Sequence, residues 1–182
     1  MLKHSELLNA ADRERSDWRA WWLVMSNWAA IIALLVLAGL YPSMLTISLL
    51  WVVLPGRQLG LSVLMHEAGH GTLFSTRGLN HWVGQWLCAL PTLNDLPSYA
   101  AVPDANDPDP RMSTRTVIAP AWQRWLLAPH GVNFHLEHHL LPGVPCYHLP
   151  ALRARLVEMG WLDRVPVFSG YPEVFAHAVR RG

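Results

Sequence analysis

The chain has 182 residues and a mass of 20.5 kDa, room for one domain or a small membrane module but not for two ordinary domains. With 52% hydrophobic and only 15% charged residues it has too much apolar surface to stay disordered, and 14 Lys+Arg against 13 Asp+Glu exclude a strongly basic nucleic-acid binder. Two cysteines, Cys88 and Cys146, make neither a disulfide framework nor a Cys-rich zinc site.

Residues 1–19 mix Lys3, Arg13, Arg15 and Arg19 with four acids. They are too long and too polar for a signal-peptide head, and the positive-inside rule places them in the cytoplasm. Residues 20–56 then carry no charge. A bilayer crossing takes about 20 apolar residues, so two crossings are expected, at Ala20–Leu40 and Ser43–Ser62, turning at Tyr41-Pro42. Arg57 would have to snorkel from the last turns of the second crossing. Trp18, Trp21, Trp22 and Trp28 suit an aromatic belt at the membrane edge. A buried helical hairpin of a soluble protein is the competing reading, and so long a charge-free run is costly to cover in a small domain. Gly78–Pro97 is apolar and broken by Pro91 and Pro97, as expected of a segment lying in the interface. Val102–Arg111, with three Pro and three Asp, reads as a loop. Pro120–Pro129 reads as an interfacial helix and Pro150–Met159 as a short amphipathic one. The expected fold is all-α: an integral membrane hairpin plus cytoplasmic or interfacial helices that carry the histidines. One domain is expected over 1–182, divided into a cytoplasmic N-terminal segment (1–19), the hairpin (20–62), the histidine region (63–155) and a C-terminal tail (156–182).

Ten histidines are the compositional outlier. His66 and His70 stand four apart, on one face of a helix, where two imidazoles can hold one metal ion. His135, His138 and His139 also lie roughly on one face. Adjacent histidines diverge by about 100° on a helix, so His138 and His139 are suited to different ions, and the pattern favours two metals over one. Ligand type alone does not name the metal, since imidazole suits Fe, Zn, Cu and Ni. His130 is a candidate further ligand or supporting donor; His81 and His148 are weaker candidates, and His4 and His177 read as surface residues. Taken alone, His66-Glu67-x-x-His70 is also the zinc-peptidase pattern, with Glu67 as general base. That reading leaves the second cluster unexplained.

The apolar hairpin running into HEAGHGTLF, the stretch NFHLEHHLLPGVPCYHLP (133–150), and its lead-in over 101–130 together resemble the membrane fatty acid desaturase family across roughly residues 20–155. The resemblance implies a di-iron centre held by histidines on the cytoplasmic face of a bacterial inner membrane. It implies O2-dependent removal of hydrogen from an acyl lipid chain, and an external electron donor such as ferredoxin, rubredoxin or a cytochrome. His66, His70, His135, His138 and His139 would be the metal ligands, Asn133 would support a water beside the metal, and Glu67 and Glu137 would orient imidazoles. Relatives carry a further HxxHH stretch, and none occurs here between His81 and His130. An internal deletion joining near Ala100 and Ala101 is the simplest explanation. The expected function is therefore a desaturase-like oxidoreductase in which the loss can have abolished activity. A non-catalytic remnant and a membrane zinc metallopeptidase are the alternatives.

Overall fold

The computed structural model describes residues 10–96, 114, 116–163, 165 and 167–179. The expected loop at 102–111 and His4 lie outside these residues, as does the His177 side chain.

Two long antiparallel helices dominate: α1, Asp17–Leu40, and α2, Met44–Gly69. Both are long and apolar enough to cross a membrane. Ser16 caps α1, and Ser43 and Thr46 form a capping box at the start of α2, which satisfies amides the helix ends leave unpaired. The turn at Tyr41-Pro42 is where the sequence put it, but both helices outrun their expected bounds. The second does not stop at Ser62; it continues through Glu67, with His70 as its C-cap. The first histidine pair therefore rides on the end of the apolar helix itself, and its height is set by the hairpin.

Arg57 is a correction. It stands mid-helix and does not snorkel: it is 5% exposed and donates to the Trp125 carbonyl oxygen. Asn27 of α1 donates to the Arg57 carbonyl at 2.8 Å. The charge is held between helices, with Asn27 and Trp125 closing over it.

Among the described residues, the hairpin is covered at one end. Residues buried on α1 are Ala20, Val24, Asn27 and Ile31, and on α2 none precedes Val53. Beyond these levels Leu35, Leu40, Leu45, Ile47, Trp51 and Val52 stand bare. That is the surface expected to face lipid. At the covered end, Leu64, Met65 and Ala68 pack with Phe74, Val83 and Cys88 in one core.

After α2 come α3 (Arg77–Val83), a π-helical turn (Gly84–Ala89) and a short 3-10 turn (Leu90–Thr92). This accounts for most of the apolar segment expected at the interface. The π turn directs the Leu87 carbonyl to Trp28 Nε1, 3.0 Å away. Helix α4 (Ala121–Leu127) follows, with Trp122 and Trp125 exposed. Then come α5 (His135–Leu140) and α6 (Leu149–Glu158), which share the second core with Phe134, Leu141 and Val144. The region expected as a plain tail contains α7, Tyr171–Val179. The fold is mostly helical, with one addition that helical periodicity could not announce: Thr116–Val117 (β1) pairs in parallel with Val167–Phe168 (β2).

Helix α4 lies directly on α2. A Cβ built on Gly56 would collide with the Leu126 carbonyl, whereas one on Gly39 would meet nothing within 4 Å. Gly56→Ala is therefore expected to destabilise the folded protein by about 1–3 kcal/mol through overpacking. Gly39→Ala is expected to be neutral or stabilising by up to about 1 kcal/mol. Denaturant unfolding in detergent checks the contrast.

Candidate metal centre

Helices α2 and α5 bring the two histidine clusters together. His66 Nε2 lies 2.6 Å from His138 Nε2 and 3.1 Å from His70 Nε2. One ring nitrogen from each of the three falls within 4.8 Å of the others, so the trio could hold a metal ion. Two nitrogens each about 2.1 Å from one ion, at ordinary ligand angles, sit roughly 3 Å apart. Spacings of 2.6 and 3.1 Å are compatible with nitrogens that share one ion. His135 and His139 form a separate pair, Nε2 to Nε2 3.1 Å. The His138 and His139 rings, centred 5.9 Å apart, join trio to pair. The divergence of adjacent histidines has sent His138 to α2 and left His139 with His135.

The family model described as fatty acid desaturase matches residues 42–102 and 98–170. The chain belongs to the fatty acid desaturase family. No curated protein and no solved structure matches it. Desaturases of this family are generally di-iron proteins. An all-imidazole donor set of three and two, with paired nitrogens at ligand spacing, fits such ions.

Two carboxylates, Glu67 and Glu137, are buried near the histidines. Glu67 is 2% exposed; one oxygen is 3.6 Å from His138 Nδ1, and the other accepts from Thr72 Oγ1 (2.9 Å) and the Cys146 amide (3.0 Å). A carboxylate at Nδ1 selects the tautomer that turns Nε2 toward a metal. Glu137, fully buried, accepts from Thr116 Oγ1 and pairs with Arg153. It fixes α5 to α6 and to β1 rather than touching an imidazole. Burial, with the other four histidines around it, holds His138 well below the ordinary imidazole pKa, in the neutral form a metal ligand requires. The Cys146 thiol, wholly buried beside Glu67, is pushed up and stays protonated.

Arg153→Met would strip the buried Glu137 of its cation. The expected cost is about 3–5 kcal/mol, read as a lowered unfolding midpoint. A Glu137→Gln partner change should restore part of it, because the uncharged amide needs no counter-ion.

His130 is not brought into the trio. It adopts a left-handed conformation (φ 55°), and its Nε2 is buried without a hydrogen-bond partner near Gly60 and Asn27. Burial, helped by the Arg57 guanidinium, lowers its pKa to about 4, so it is neutral at pH 7. Asn133 is buried, its amide donating to the Val117 carbonyl at 3.0 Å. His81 is exposed, and His148 Nε2 contacts the Glu14 carbonyl at 3.2 Å, a structural tie to the N-terminal segment. The sequence reading missed Thr72, Thr116 and Arg153. Only Arg153, on a helix already recognised as amphipathic, carried any prior signal.

A cavity of about 210 Å³ adjoins the trio. Leu59, Ser62, Val63 and His66 of α2 line it, an i, i+3, i+4, i+7 stripe, with His130 and Leu149 opposite. Its lining is mostly apolar and runs up one face of α2 from Leu59 to the histidines.

Proposed function

We propose that the chain is a membrane oxidoreductase of desaturase type, with a metal centre formed by His66, His70 and His138 and by the pair His135 and His139. The supporting observation is the junction of His138 with His66 and His70, residues from two distant stretches, beside an apolar cavity. Two iron ions would supply the O2 chemistry that an unactivated alkyl C–H bond demands, since no side-chain acid or base can act on it. The residues of the chain hold and orient: Glu67 aligns His138, Glu137 and Arg153 set the position of α5, and the apolar stripe on α2 seats an acyl chain and keeps water out. The histidines would face the cytoplasm, with an external protein donating electrons. The whole chain would act as one membrane domain.

The absent HxxHH stretch bears on activity. An internal deletion joining near Ala100 and Ala101 would account for its loss. Without that stretch the chain offers fewer histidines for two ions than its relatives do. This favours, as a second reading, a chain that binds metal without turning over. The peptidase reading is disfavoured by Glu67, whose oxygens are engaged by Thr72, Cys146 and the back of His138 rather than facing a metal-bound water.

Expression in a host with saturated membrane lipids tests the proposal. New double bonds or hydroxyl groups that vanish in His138→Ala are expected. Unchanged lipids from a protein that retains its iron would establish the non-catalytic reading.

A further inference from the structure

A second cavity, of about 520 Å³, lies on the other side of His130. It shares His130, Gly131 and Cys146 with the cavity at the metal centre. Trp22, Arg57, Arg124 and Trp125 also line it. Three observations define what it takes. Arg57 is a buried cation, and among the described residues its partners are neutral: the Trp125 carbonyl, the Asn27 amide oxygen at 3.5 Å, and the Trp125 ring 4.6 Å from the guanidinium carbon. Its Nε is buried with no hydrogen-bond partner, and so is the neighbouring His130 Nε2. A buried guanidinium without an anion is costly, and an ionisable residue within a membrane helix marks a functional site unless a partner explains it.

The mouth of the cavity identifies the source of the anion. Trp22 and Trp125 are exposed there, 63% and 51%, and indole rings favour the headgroup level of a bilayer. Arg124, also exposed, adds a second guanidinium. Two guanidinium groups suit a phosphate, whose oxygens can engage both, better than a single carboxylate.

We propose that this cavity binds the phosphate of an acyl lipid between Arg57 and Arg124, placing the acyl chain beside the wall it shares with the metal-centre cavity. The inference deepens the reading above and rests on it for the use made of the chain. The substrate class is then a phosphate-bearing lipid rather than a neutral one.

The test is tryptophan-fluorescence titration of the full chain in maltoside micelles. Hexadecyl phosphate, hexadecanol and inorganic phosphate are the probes, and iron content is measured in parallel. Hexadecyl phosphate is expected to bind about tenfold or more tightly than hexadecanol, the value of one charge-assisted hydrogen bond. Arg57→Gln should erase the preference and Arg124→Gln should reduce it about threefold or more. Should Arg57→Gln fail to fold, Arg124→Gln, on the exposed mouth, decides. Equal binding of the two amphiphiles, an unchanged preference in folded Arg57→Gln or in Arg124→Gln, or displacement by inorganic phosphate at equal concentration would each overturn the proposal. Loss of the preference with iron intact defeats this inference alone. Absence of iron with the preference intact defeats the metal-centre reading and leaves the phosphate site standing.

Discussion

His138→Ala and His139→Ala are expected to have unequal effects. His138 is the single residue of α5 whose nitrogen closes the trio with His66 and His70. Without it, α2 offers two imidazoles, half-buried and exposed. Metal affinity of the trio should fall by more than about 100-fold, beyond what loss of a mere supporting contact produces. His139→Ala should remove only the ion held with His135 and leave the trio's ion in place. Metal analysis of the two purified variants checks this. Equal losses would mean that trio and pair are not separate sites.

Glu67→Gln should act on affinity rather than on turnover alone. Its carboxylate accepts two hydrogen bonds, from Thr72 and the Cys146 amide, and faces His138 Nδ1. An amide keeps the shape but puts an NH2 group against one of those donors. It also no longer draws the proton of His138 to Nδ1. Metal binding is expected to weaken about 10–100-fold, with a stability loss of about 1–3 kcal/mol from the mismatched buried donor. Competition with a chelator measures the first and thermal unfolding the second. A general base of a peptidase behaves otherwise: its loss leaves metal affinity untouched and abolishes hydrolysis. Full metal affinity in Glu67→Gln would therefore contradict the role assigned to the carboxylate.

The parts that were legible in the sequence are those written in local spacing. The charge-free run gave the hairpin, because no other use of 37 consecutive uncharged residues (20–56) fits so small a chain. The 3- and 4-residue intervals gave the two histidine faces, and the 100° offset separated His138 from His139. The remainder depends on what packs against what. Arg57 reads as a snorkelling residue only while α2 is thought to end near Ser62; once the helix runs on to Gly69, with α4 lying across Gly56, the guanidinium is enclosed. Glu67 reads as a catalytic base in HExxH until a loop 79 residues away sends the Cys146 amide to it. Glu137 is placed by Thr116 and Arg153, neither of which any helical period connects to it. The short β1–β2 pair joins residues some 50 positions apart and follows from no alternating pattern.

The proposed metal centre draws five histidines from two separated stretches of this chain. Iron per chain, counted on detergent-purified protein beside His138→Ala, tests it most directly. The expected result is close to two irons, the ion of the pair lost first under mild chelation, with His138→Ala losing the iron of the trio. One zinc insensitive to His138, or no stoichiometric metal at all, would contradict it.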